Sequence, residues 1–157
     1  MISPMVNVIR MFFPLISGVS AMLLAQALKV LIGFCTSRRF DMSPFTNAGG
    51  MPSSHTAMVT ALTCSLGLNN GWSSPSFAIS LVFSLIVLHD AAGVRFAAGK
   101  QARVLNKIQS VLHSQGYENA AELKESIGHT KFEITVGVIF GLTVAWLYWW
   151  IIGGARW

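Results

Sequence analysis

Charge is what this sequence has least of. Only 11% of its 157 residues are Asp, Glu, Lys or Arg, against 53% that are hydrophobic. A water-facing domain of this size carries about a quarter charged residues. The polar coat is therefore too thin to face water everywhere, and lipid must cover part of the surface. Cysteine is nearly absent as well. Cys35 and Cys64 both fall inside apolar stretches, where a free thiol behaves as a small hydrophobe. No ligand spacing for a metal and no disulfide framework is present, and nothing calls for a cofactor. The basic residues are few and lie beside apolar runs, which excludes a nucleic-acid partner. There is no internal repeat and no low-complexity tract. Arg10 precedes an apolar run without a small-residue cleavage site, so that run reads as a retained helix rather than a removable signal. One membrane-embedded domain over residues 1–157 is the expectation.

Four apolar segments are present, and a membrane helix needs roughly 20 such residues in succession. They cover about 12–34, 54–72, 75–98 and 132–152. The second is shorter, rich in Thr and Ser, and reads as a full or a partial span ending at Trp72. The fourth closes on Trp146, Tyr148, Trp149 and Trp150, which suit a headgroup belt. The predicted fold class is all-α: an integral membrane bundle of about four spans with one helical loop.

That loop, 99–131, is the markedly polar region. Val104, Ile108, Val111 and Leu112 recur at helical spacing, which predicts an amphipathic helix ending near Gly116. A second short helix is expected around 119–126, with Glu118, Glu122 and Glu125 along a solvated side. With four spans, the loops at 36–52 and 99–131 share one side and hold Arg38, Arg39, Lys100, Arg103, Lys107, Lys124 and Lys131. The opposite side keeps Arg10 and Arg156. The positive-inside rule then makes the loop-rich side cytoplasmic, in a multi-pass protein of the cell inner membrane.

Polar groups in a membrane are costly and usually face a cavity or a partner. Lys29, His55, His89, Asp90, Arg95 and Glu133 all sit near ends of apolar segments, and this topology puts every one toward the cytoplasmic side. The stretch Gly49-Gly50-Met51-Pro52-Ser53-Ser54-His55 reads as a loop to which glycines give conformational freedom, leading into a helix whose first-turn N–H groups and dipole attract an anion. It reads equally as an ordinary loop-to-helix junction. In Gly128-His129-Thr130-Lys131-Phe132-Glu133, His129 and Glu133 would face each other if the helix already includes His129. A carboxylate there would orient the ring for nucleophilic attack. Thr130-x-x-Glu133 is also a capping box, the simpler reading of the spacing, and it would leave His129 outside the helix. Arg95 and Lys100 are suited to binding phosphate, and Asp90 to orienting either one. An internal ion pair is the alternative. His89 reads as a packing residue and His113 as an exposed one.

Together these residues resemble the type 2 phosphatidic acid phosphatase superfamily, which shares its site with vanadium-dependent haloperoxidases. Pro52-Ser53-Ser54-His55 is similar to its Pro-Ser-Gly-His motif, with Ser54 for Gly. His129 to Glu133 is similar to its His-x-x-x-Asp, with Glu133 for Asp. Lys29 with Arg38 or Arg39 resembles the first motif at a longer spacing. A divergent branch, the acid phosphatase/vanadium-dependent haloperoxidase-related family, is a closer likeness over about Gln26 to Gly141. It shares Gly-Gly-Met-Pro-Ser-Ser-His-Thr-Ala at 49–57, Asp-Ala-x-Gly-Val-Arg at 90–95, Ala-Gly-Lys-Gln-Ala at 98–102 and Gly-His-Thr at 128–130.

The resemblance implies a metal-independent phosphatase acting on a membrane lipid phosphate or diphosphate. It implies His129 as nucleophile, Glu133 as its orienting group and His55 as acid and base. Lys29, Arg39, Arg95, Lys100 and the backbone at Ser53 and Ser54 would hold the phosphate, with Asp90 aligning a cation. Two features depart from the pattern. Leu123 stands where the superfamily has an Arg before its His, and the chain is short for a fold that usually uses about six helices. Four spans leave little protein to enclose a site, so a homodimer is a natural arrangement. A catalytically silent protein that binds anionic headgroups or a partner is the alternative function.

Overall fold

The computed structural model describes residues 4–37, 50–118, 121–125 and 127–151. These form five helices: α1 Pro4–Ser37, α2 Ser54–Asn70, α3 Pro75–Ala92, α4 Val94–Ser114 and α5 Lys131–Ile151. The protein is an all-helical membrane bundle. Among the described residues, three stretches are long and apolar enough to cross a bilayer: Arg10–Thr36, the α3 part of Pro75–Ser114, and Lys131–Ile151. The helix starts follow local chemistry. Ser74 caps α3 by accepting the Phe77 N–H at 3.3 Å, and Pro75 supplies the first helical residue, where its missing N–H costs nothing.

α2 covers Ser54–Asn70, two residues short of the 54–72 segment. Its 17 residues are the lower limit of a span, and its Thr and Ser lower its apolarity. Packing explains the composition. α2 touches α1, α3 and α5, so protein rather than lipid meets most of its surface. Thr63 Oγ1 donates to Ser80 O at 3.1 Å and lies 2.7 Å from Ser84 Oγ. Ser84 Oγ in turn donates to Val59 O at 3.1 Å. These bonds replace the water that such groups would otherwise need.

The centre is built from small residues: Ala21, Ala25, Ala57, Ala61, Cys64, Val144 and Ala145. Lipid is as apolar as leucine, so helices in a membrane gain by close backbone approach rather than by hiding large side chains. Gly137 and Gly141 on α5 show this directly. A Cβ at Gly137 would stand 2.8 Å from Ser53 O, and one at Gly141 2.5 Å from Ala57 O. Large apolar side chains such as Ile79, Val82, Phe83, Ile86, Ile139 and Trp150 point outward instead.

The polar region differs from expectation in two ways. The helix from α3 breaks at Gly93 (φ −106, ψ −85), so α4 begins within the stretch assigned to the third span. The second short helix does not form over 121–125, which has no regular structure; residues 119, 120 and 126 lie outside the described set. Asn106 clamps that segment to α4, its Nδ2 donating to Leu123 O at 2.8 Å and its Oδ1 accepting the Leu123 N–H at 2.9 Å. Glu125, expected on a solvated side, instead accepts from Asn106 Nδ2 at 3.0 Å and Arg103 Nε at 3.0 Å. The Asn106 amide, and then Arg103, hold the Glu125 carboxyl below its ordinary range. His89 is exposed rather than packed, as is His113.

Candidate active site

The sequence left His129 with two exclusive readings, and the structure combines them. α5 starts at Lys131, so His129 stands outside the helix and Thr130 is its cap. The Thr130 N–H donates to Glu133 Oε2 at 2.7 Å, and the Glu133 N–H donates to Thr130 Oγ1 at 3.3 Å. That is a complete capping box. The same Oε2 lies 3.6 Å from His129 Nδ1. The carboxylate therefore serves the helix end and faces the imidazole at once.

His129 is held from its backbone side too. Its N–H donates to Ala91 O at 3.1 Å, at the end of α3. Gly128, which precedes it, has φ +89, and a Cβ there would meet Phe96 N at 2.4 Å. Only glycine allows this strand of chain to pass so close to the start of α4. The His129 ring is 6% exposed, and its buried Nδ1 has no hydrogen-bond partner among the described residues. Burial pushes its pKa below the ordinary histidine value. Glu133 opposes that shift, while the charges of Lys29 and His55 reinforce it.

A cavity of about 150 Å³ is lined by His55, Val87, Asp90, Ala91, Arg95, Gly128 and His129. His55 comes from the first turn of α2, Asp90 from the end of α3, Arg95 from the start of α4, and His129 from the turn before α5. Arg95 Nε donates to Asp90 Oδ2 at 2.5 Å, and both side chains are partly exposed. Asp90 thus aligns Arg95 and not Lys100. Lys29 is buried on α1 at 6% exposure; it does not line that cavity, but its charge acts on His55 and His129.

The other expected residues distribute differently. Lys100 lines a second cavity of about 310 Å³, which also has Gly50, Arg103, Glu125, Gly128, Thr130 and Glu133 in its wall. Its Nζ lies 4.7 Å over the Phe96 ring. Ser53 is spent on structure: its hydroxyl accepts the Thr56 N–H at 3.5 Å, and its N–H points to Glu133 O at 3.4 Å. Ser53 and Ser54 are both fully buried, and neither lines the His55–His129 cavity. Arg39 lies outside the described residues. Spacing alone carries no sign of the Arg103–Glu125–Asn106 clamp. Gly128 was visible as the glycine before His129, but its contact partner at Phe96 was not.

The arrangement places two imidazoles, one facing a carboxylate, around a space with an aligned guanidinium. That is chemistry suited to a phosphate. No solved structure matches the chain. An uncharacterized membrane protein of Bacillus subtilis (strain 168), YuiD, is 43% identical over 141 residues, covering 83% of this chain and 89% of the relative. The model of the Divergent PAP2 family matches residues 12–144, the stretch that contains every element of the site just described. The chain belongs to the Divergent PAP2 family.

Proposed function

We propose that the protein is a membrane phosphatase that hydrolyses a lipid phosphate or diphosphate through a phosphohistidine at the cytoplasmic face. One observation carries this reading. His55 and His129, from separate elements, line one cavity with Arg95, while Glu133 faces the buried nitrogen of His129.

With Nδ1 directed to Glu133, Nε2 of His129 is the nitrogen left for attack on phosphorus. The P–N bond forms as the P–O bond to the lipid leaving group breaks. The departing oxygen keeps the electron pair and takes a proton from the His55 imidazolium. Water then attacks the phosphohistidine, neutral His55 accepts its proton, and the P–N bond breaks to release phosphate. Arg95, aligned by Asp90, and Lys29 offset the charge on the phosphoryl oxygens, which is the main requirement of phosphoryl transfer. Every role falls to this chain's own side chains, so the proposal calls for no metal or cofactor.

Lys100, Arg103 and Lys107 of α4, Lys124 of the segment that follows and Lys131 at the start of α5 lie between α3 and α5 on the site's side of the bundle, which supports a cytoplasmic orientation. A substrate made on the inner leaflet, such as phosphatidylglycerophosphate or an isoprenyl diphosphate, fits that side. The test is phosphate release by purified protein from a panel of lipid phosphates. His129→Ala and His55→Ala are each expected to lower it by about 10²-fold or more. Unchanged release in both variants would overturn the mechanism. Reporter fusions that place 99–131 outside the cell would overturn the orientation.

A second reading is a silent binder of anionic headgroups. Leu123 stands at the superfamily Arg position, with its backbone committed to Asn106, and Lys100 lines the neighbouring cavity. Saturable lipid binding without turnover in the intact bundle would favour it.

A further inference from the structure

α4 carries a face that the bundle does not use. Val104, Leu105, Ile108, Val111 and Leu112 are between 43% and 58% exposed, and at 100° per residue they fall on one stripe. Over the first half of α4 the face turned away from that stripe is packed on the protein. Gly99 and Ala102 are buried, Gly99 lies against Glu125 O and Ile127 O, and Asn106 holds Leu123 and Glu125. Lys100, Arg103 and Lys107 form a third stripe between the other two. A helix that is merely solvated gains nothing from five large exposed apolar side chains on one side.

The bilayer is already at hand. α3 crosses it, and a single residue, Gly93, separates α3 from α4. Continued straight, the 40 residues of Pro75–Ser114 would reach about 60 Å, twice the hydrocarbon thickness of roughly 30 Å. Arg95, Lys100, Arg103 and Lys107 bar α4 from the hydrocarbon. The break at Gly93 is where the chain leaves it.

We propose that α4 lies in the membrane interface, with Val104, Leu105, Ile108, Val111 and Leu112 seated among the acyl chains and Lys100 and Lys107 on anionic headgroups. The occupant of the exposed stripe is the leaflet that α3 reaches at Gly93. Apolar area on one stripe and cations on the adjacent one are the two terms that bind an interfacial helix. The consequence reaches the site. The start of α4 packs on Gly128 and supplies Arg95 to the cavity, so docking α4 holds that cavity at headgroup depth. The inference rests on membrane residence and stands whether or not the site turns over.

The test uses the full chain in vesicles of phosphatidylcholine with phosphatidylglycerol, carrying Cys35→Ala so that the buried Cys64 is the remaining native thiol. Val104→Cys, Ile108→Cys, Val111→Cys and, as control, Ser110→Cys are labelled with an environment-sensitive dye and quenched with brominated lipid. Quenching at 104, 108 and 111 is expected to exceed that at 110 by roughly threefold or more. Equal and weak quenching at all four means a solvated helix and overturns the proposal. A blue-shifted dye that brominated lipid does not quench means a protein partner or second copy, and also overturns it. Because a labelled variant can misfold, the unmodified chain is also exposed to photoactivatable lipids. Label within 104–112, stronger from phosphatidylglycerol than from phosphatidylcholine, is expected; none there overturns the proposal, and equal label from the two lipids overturns its anionic part.

Discussion

Glu133 Oε2 accepts the Thr130 N–H at 2.7 Å while standing 3.6 Å from His129 Nδ1. One carboxylate therefore closes the first turn of α5 and opposes the effect of burial on the imidazole beside it. The two duties separate by substitution. Glu133→Gln keeps an oxygen that can close the capping box but removes the charge facing His129. Glu133→Ala removes both and is expected to cost about 0.5–2 kcal/mol. Thermal unfolding in detergent should thus show a lowered Tm for Ala and little change for Gln, while phosphate release falls by about 10²-fold in both. Normal turnover in Glu133→Gln would confine Glu133 to the helix cap.

The depressed pKa of His129 sets a sign for the pH response. The buried neutral ring binds its proton less readily than in the unfolded chain, whose histidines titrate near about 6.5. The unfolded state therefore takes up more protons between the depressed value and about 6.5, and stability is lost as pH falls through that window. It is fully present above it. The nucleophile must be neutral, so kcat/KM should show an acid limb below about 6.5. Removing the Glu133 charge takes away a stabiliser of the protonated ring, so Glu133→Gln should move that limb to lower pH. A shift to higher pH would contradict the pairing.

Much of this was legible in the sequence, and the misses share a cause. α1, α3 and α5 follow from apolar runs, because lipid imposes length and composition on them. α2 was harder to read, since its Thr63 is satisfied by Ser80 and Ser84 of another helix. The break at Gly93 went unseen because the apolar pattern runs on through Val94 and Ala98. His55 and His129 were recognisable by motif. Whether Lys100 shares their cavity depends on how 121–125 lies against α4, and that is set by Asn106, whose type carries no such signal.

Gly128 tests how firmly the His129 turn must be held. Gly128→Ala puts a Cβ against Phe96 N and Arg95 C, backbone atoms that cannot swing aside. The positive φ alone costs about 1–2 kcal/mol, and the overlap adds a comparable amount. Gly116→Ala is the control, since Gly116 also has positive φ but nothing near its missing Cβ. Gly128→Ala should lower Tm by clearly more than Gly116→Ala and abolish phosphate release. Equal effects would mean that the turn yields without disturbing His129.

The absent Arg before His129 leaves open which cation meets the phosphate, and the two cavities rank the candidates. Arg95 lines the His55–His129 cavity and is aligned by Asp90, whereas Lys100 lines the cavity beyond Gly128. A guanidinium forks around phosphate oxygens in a way that an ammonium cannot. Arg95→Lys should therefore already lose about tenfold or more in kcat/KM, a transition-state loss of roughly 1.4 kcal/mol. Arg95→Ala should lose more. Asp90→Asn keeps the guanidinium but loosens its alignment, and its loss should be smaller than that of Arg95→Ala and not additive with it. Lys100→Ala should cost less than Arg95→Ala on every substrate. The reverse order, with Lys100→Ala the more damaging, would move the phosphate into the cavity beyond Gly128 and reassign the cation.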